Sequence, residues 1–321
     1  MDAVIKETQD LLLKNPEWIE RYKNYVEDIK SNKALIKDNR KLFNEFSPLY
    51  FYISTTNARN AKKTLSLDVR YRGQSVATLQ ASSDGINIST EGGKREENNK
   101  RDFECTIKLP KIPWTHPTTS DFRKFFKERP NSRNSTSDNK KNEEHNVESL
   151  LLAEFSKQSS TNKQIAGIKP VKIENIRFGM PTPLGACDHK KLKYCNSSGG
   201  GIDILARTGL GGTRFISVIE VKDENLKNEP PQDALKQAIQ YAVFIRELLR
   251  SDSGQDWYCL FGFKSSIPKK LTIRAICAMP DNRIDDSFSR KIYNIGNDII
   301  ECHYIYFNYN GKQLSNFKTS L

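Results

Sequence analysis

The sequence predicts an α/β fold: a central mixed β-sheet flanked by helices, with an N-terminal helical and β-rich extension. Three observations predict it. Residues 201–207 and 216–223 are short, β-branched apolar runs bounded by glycine-rich turns, the pattern of interior strands. The segment after Pro230-Pro231 then places Leu235, Ile239, Ala242, Val243, Ile245 and Leu248 on one helical face. Strand-like runs return at 257–263, 271–279 and 299–309, so helix and sheet alternate along the chain.

The remaining elements follow in order. Residues 3–46 read as helical, with Val4, Leu11 and Leu12 at helical spacing. Asn15-Pro16-Glu17 restarts a helix, Asn15 serving as its cap, and Trp18, Ile19, Tyr22, Tyr25, Val26 and Ile29 form its apolar face. Between 47 and 110 the period shortens to two. Residues 65–71, 74–80 and 86–88 read as an antiparallel meander turning at Asp84-Gly85, 90–101 as an exposed polar loop, and 103–109 as a further strand. Pro110, Pro113 and Pro117 break regular structure, and Ser120-Asp121 caps a short helix to Lys127.

Residues 130–145 are rich in Asn, Ser and Lys with almost no apolar side chain, which reads as a linker or mobile loop. Three segments are therefore expected: an extension over 1–129 without a chemical motif, the linker, and a domain over 146–321 that carries the chemistry. That domain opens with a helix at 146–157. It continues through a strand-like run at 168–180 and a long loop at 186–198, and 283–295 reads as helical.

At 321 residues the chain holds one large or two ordinary domains. Its formal net charge of +12 and mean hydropathy of −0.66 describe a basic, water-soluble chain that suits a polyanion such as nucleic acid, or an acidic membrane surface. No apolar run approaches the roughly 18 residues of a membrane span, and residues 1–15 lack the basic-then-apolar pattern of a secretion signal. The six cysteines lack close regular pairing and several lie in apolar runs, so reduced thiols and a cytoplasmic location are expected. Cys187, His189 and Cys195 are too closely spaced for a structural zinc site and have no evident fourth ligand.

The two central runs are joined by Thr208-Gly209-Leu210-Gly211-Gly212-Thr213 and predict an antiparallel hairpin. Centring its turn on Gly211-Gly212 sets Asp203 opposite Glu220, and Glu220 shares a side with Lys222 because side chains alternate with period two. Two carboxylates on a half-buried surface require a neutralising cation. A hard divalent ion fits, since Mg²⁺ takes one or two carboxylates together with water and phosphate oxygens.

The pattern Asp203, then Glu220-Val221-Lys222, resembles the PD-(D/E)XK nuclease superfamily, with Ile202 standing where a proline is usual. Gln237-x-x-x-Tyr241 on the following helix resembles the QxxxY motif of its RecB-like branch. The resemblance covers about 146–310 and leaves the first ~130 residues unexplained. It implies a restriction-endonuclease-like core. Asp203, Glu220 and the carbonyl of Val221 would hold Mg²⁺ or Mn²⁺, Lys222 would position the attacking water, and Gln237 and Tyr241 would position the lysine or the substrate. The opening helix of such cores often brings another acid; Glu148 is the preferred candidate and Glu154 the alternative. Lys190, Lys191, Lys193 and Tyr194, on the loop leading into Asp203, suit backbone contact and base stacking.

There is no P-loop, no dinucleotide fingerprint and no nucleophile elbow. A motor or specificity subunit would thus be a separate chain, and a two-fold homodimer would suit double-strand cutting. The function expected is metal-dependent phosphodiester hydrolysis, foremost of DNA. A non-cleaving nucleic-acid-binding or assembly module on the same fold, and a nuclease acting on RNA, stand as alternatives.

Overall fold

The computed structural model describes residues 1–44, 48–53, 65–82, 85–129, 140–157, 163–185, 192–196, 200–223, 231–281 and 291–321, and it is α/β with mixed sheets. Its helices are α1 (Asp2–Lys14), α2 (Glu17–Ser31), α3 (Lys33–Asn44), α4 (Gly93–Arg101), α5 (Pro117–Glu128), α6 (Lys140–Ser156), α7 (Pro231–Arg250) and α8 (Gly254–Leu260). The strands are β1 (Leu49–Ile53), β2 (Leu65–Tyr71), β3 (Gln74–Ser82), β4 (Gly85–Ser89), β5 (Ile112–Pro113), β6 (Lys169–Pro170), β7 (Lys172–Ile173), β8 (Ile176–Phe178) and β9 (Met180–Pro181). They continue with β10 (Leu184–Gly185), β11 (Lys193–Tyr194), β12 (Gly201–Ile202), β13 (Ile204–Thr208), β14 (Phe215–Val221), β15 (Thr272–Pro280), β16 (Ile292–Ile295), β17 (Asp298–Tyr309) and β18 (Leu314–Thr319). None of the described helices is long and apolar enough to cross a membrane.

The chain forms two compact units. The first comprises Met1–Val26, Leu150–Val171 and Gly179–Leu321; the second comprises Glu27–Ser149 and Lys172–Phe178. This division differs from a single boundary at 130–145. The first helix and the start of the second belong with the C-terminal residues, and a short return of the chain at 172–178 belongs with the meander.

The first unit is built on a sheet ordered β16-β17-β15-β14-β13-β6, with β18 added against β17. β14, β15 and β17 run parallel, and β13, β16 and β18 pair antiparallel. The burial pattern explains why β14, β15 and β17 read as continuous apolar runs: their middles are buried on both faces. α7 is the crossover between β14 and β15 and packs on both. Its outer side is covered by α1 and by the aromatic side chains of α2: Trp18 and Tyr22 meet Phe244 edge-on, and Trp257 Nε1 donates to the Tyr22 carbonyl at 3.2 Å. Each such aromatic buries enough area to contribute about 2–3 kcal/mol.

The second unit carries a sheet ordered β5-β4-β3-β2-β1-β8-β7, antiparallel apart from the β1–β8 pair. The meander appears as predicted, and Tyr71, Phe103, Phe122 and Phe126 form its aromatic cluster with α5.

Several expectations are corrected. Asn15 closes α1 rather than capping α2: its Nδ2 donates to the Leu11 carbonyl at 2.8 Å. Residues 93–101 are the helix α4, not a loop; it docks on β3 through amides, with Asn98 and Asn99 donating to the Ser75 and Val76 carbonyls, so it has no apolar stripe to read. Residues 103–109 form no strand, and β5 takes up the pairing with β4 instead. α5 is capped by His116 with Pro117 in its first turn, ahead of Ser120-Asp121. α6 begins at Lys140, inside the expected linker, because its first turns are polar; residues 130–139 lie outside the described ones. The run 168–180 is broken into short strands shared between the two units.

Two further corrections concern helix–strand ambiguity. Residues 257–260 belong to α8, since a short aromatic run does not distinguish helix from strand by its period. Gly254 permits the tight α7–α8 turn: a Cβ there would meet the Leu249 carbonyl oxygen at 2.2 Å. The expected helix at 283–295 is a strand over Ile292–Ile295; residues 282–290 lie outside the described ones.

Candidate metal centre

The hairpin of β13 and β14 sets the site. Its ladder runs from Ile204 opposite Ile219 to Thr208 opposite Phe215, the predicted register. Gly209 starts the turn at φ +116, where a Cβ would meet the Thr213 carbonyl oxygen at 2.4 Å, so only glycine closes this turn without strain.

At the other end the ladder stops at Ile204, and Asp203 sits in a bend between β12 and β13. It does not pair flat across from Glu220. Instead its Oδ2 accepts a hydrogen bond from the Val221 N–H at 2.8 Å, which aims the carboxylate across the end of β14. Glu220 remains in the parallel ladder opposite Cys277, and the Lys222 N–H donates to the Ala278 carbonyl at 2.9 Å. Both side chains are buried, and Lys222 Nζ lies 3.2 Å from Glu220 Oε1. Carboxylate oxygens of Asp203 and Glu220 lie within 4.8 Å of each other.

α7 brings Gln237 and Tyr241 to the same place. Gln237 Nε2 donates to the Tyr241 hydroxyl oxygen at 3.1 Å, one helical turn apart. Burial pushes the Tyr241 phenol well above its usual range, and the negative charges of Glu220 and Asp203 push the same way; the Gln237 bond and the Lys222 charge oppose them. Tyr241 therefore stays protonated beside the two acids. The structure thus brings Asp203, Glu220, Lys222, Gln237 and Tyr241 together within the first unit.

The electrostatics favour a cation. Two unit charges within this separation repel by roughly 3.5 kcal/mol or more at an effective dielectric of about 20. Lys222 offsets one charge, leaving a formal −1 on the trio. Octahedral Mg²⁺ holds its oxygens at about 2.1 Å, hence about 3–4 Å from one another, so a small side-chain rotation closes the Asp203–Glu220 pair on one ion. A carboxylate has about four acceptor sites, so the bond from Val221 leaves Asp203 able to ligate. The donor set fits a hard divalent cation.

Lys193 and Tyr194 form β11, paired with β10; Lys190, Lys191, Cys187 and His189 lie outside the described residues. Glu148 belongs to the second unit. It is buried there, 3.6 Å from His145 Nδ1, and close enough to Arg70 and Tyr52 to shift both. Glu154 pairs with Lys157 at 2.6 Å.

Sequence reasoning missed two groups. Arg21, on a helix given no chemical role, reaches the carbonyls of Cys195 and Asn196 and the hydroxyl of Tyr194. Its signal was faint: one of three basic residues on an aromatic helix, with nothing in the pattern to single it out. The second group lies three residues along β14, hence on the opposite sheet face from Glu220. There Ser217 bonds Thr208 at 2.7 Å, Arg274 reaches Thr208 at 3.0 Å and Glu301 at 3.3 Å, and buried His303 bridges Glu301 and the Ser320 carbonyl. Arg274 joins this polar cluster from the neighbouring strand β15.

The chain matches no family model, no curated protein and no solved structure.

Proposed function

We propose that the chain is a divalent-cation-dependent nuclease with a restriction-endonuclease-like core, acting on DNA in the cytoplasm. The observation that carries this reading is the meeting of Asp203, Glu220 and Lys222 at the end of the β13–β14 hairpin, under a helix that presents the Gln237–Tyr241 pair. A net-negative cluster that draws in a divalent cation, with one buried ammonium beside it, suits phosphodiester chemistry, whose substrate and transition state are anionic and need added positive charge.

Asp203, Glu220 and the Val221 carbonyl would hold Mg²⁺ or Mn²⁺. A bound ion of this kind supplies a water of lowered pKa and neutralises the leaving oxyanion. Asp203 is fixed for this role by its Val221 bond, which presents one carboxylate oxygen without rotamer freedom. Lys222 orients the attacking water and is held for it by Glu220. Tyr241 accepts from Gln237 and keeps its own proton, so its hydroxyl donates toward the acids or the phosphate.

The test is cleavage of linear, circular and single-stranded DNA and of RNA, each with Mg²⁺ or Mn²⁺. Metal-dependent cleavage of DNA supports the reading, and the circular form separates internal from end-directed cutting. Cleavage confined to RNA would reassign the substrate. Binding without cleavage under either ion would leave a recognition module in place of an enzyme.

A further inference from the structure

We infer that Arg21 is a positioning residue: it fastens the arm that leads into Asp203 and so sets a nucleic-acid-binding face beside the metal centre. This inference rests on the nuclease reading.

The arm is defined by its own ladder. Met180 and Pro181 pair with Ile202 and Gly201 at its base, next to Asp203. Thr182 N–H donates to the Gly200 carbonyl, and Gly200 N–H to that of Leu184. Farther out Leu184 and Gly185 pair with Tyr194 and Lys193. A two-stranded ribbon of this kind is marginally stable by itself. It needs an external hold if its outer end is to keep one orientation relative to the acids.

Arg21 supplies that hold. Its guanidinium donates to the carbonyls of Cys195 and Asn196, and its second terminal nitrogen donates to the Tyr194 hydroxyl at 3.3 Å. The same group lies 5.8 Å from the Tyr194 ring centroid, within cation–π range. The Tyr194 hydroxyl is also bonded to Glu17, one turn earlier on α2. Three acceptors on consecutive residues, met by one planar fork, is a geometry an ammonium cannot reproduce. α2 is anchored in turn: Trp18 and Tyr22 pack on Phe244 of α7, the helix that carries Gln237 and Tyr241. Arm and metal centre thus share one support. Lys193, exposed on the arm beside the gripped Tyr194, is oriented by this anchor to meet a phosphate backbone.

The test compares wild type, Arg21→Ala and Arg21→Lys in the full chain. Amide exchange at residues 192–196, read without nucleic acid, should accelerate about tenfold or more in both variants. Binding of a labelled DNA duplex in EDTA should weaken about tenfold in both. Cleavage should show a raised KM with kcat at saturating DNA within about twofold of wild type. Unchanged exchange in Arg21→Ala would overturn the anchoring role. Binding retained in Arg21→Lys but lost in Arg21→Ala would overturn it too, because charge alone would then suffice. If the wild type binds no nucleic acid, the nuclease reading and the arm's role fail together, while the exchange data still report whether Arg21 holds the arm.

Discussion

The carboxylate of Asp203 accepts a hydrogen bond from the backbone N–H of Val221 at 2.8 Å, tying the bend before β13 to the last residue of β14. One side chain thereby closes the hairpin end and stands ready to ligate. The two roles separate by substitution. Asp203→Asn keeps an oxygen that accepts from Val221, so stability should fall by only about 1 kcal/mol while metal-dependent cleavage falls by about 10²-fold or more. Asp203→Ala should lose the same activity and cost about 1–2 kcal/mol further. Urea unfolding beside a cleavage assay reads both.

The Glu220–Lys222 pair is almost fully buried at 3.2 Å. Removing one partner leaves the other charge in a poor dielectric, so Glu220→Gln should destabilise by about 3 kcal/mol. The double variant Glu220→Gln, Lys222→Met should cost less than the sum of the singles. A double-mutant cycle by urea unfolding measures that coupling.

His303 gives the fold a pH dependence distinct from any catalytic one. Burial, then the Arg274 charge, lowers its pKa below the usual 6.5, against the pull of Glu301 and Ser320. The unfolded chain therefore binds the proton more readily than the folded one. This contribution is fully present above about pH 6.5 and is lost as pH falls through the folded pKa. Stability should drop between neutral pH and pH ~5, and His303→Gln should flatten the drop. Chemical denaturation across that range is the check.

Tyr241→Phe removes a hydroxyl next to two acids but keeps the buried ring. Cleavage should fall about tenfold with the melting temperature moved by only a few degrees. Gln237→Ala should give a similar or smaller loss, since it removes the donor that orients that hydroxyl.

Much of the site was legible because it obeys short-range rules. Period-two alternation and a glycine turn fixed the β13–β14 register, and a four-residue spacing set Gln237 against Tyr241. The strands buried on both faces announced themselves by composition. What escaped depended on polar docking or on distant contacts. α4 binds its sheet through Asn98 and Asn99 and the first turns of α6 carry no apolar stripe, so neither appears in a hydrophobic pattern. Arg21 gains its meaning only when a segment more than 170 residues away comes to it, and the bend that turns Asp203 toward Val221 is invisible to a register count.

The most direct test is a Mn²⁺ titration of the full chain, with free ion read by electron paramagnetic resonance, for wild type, Asp203→Asn and Glu220→Gln. The expected result is saturable binding in the wild type that weakens about 10²-fold or more in both variants while their folds persist by circular dichroism. Mn²⁺ binding of equal affinity in all three proteins would contradict the assignment of the metal to Asp203 and Glu220.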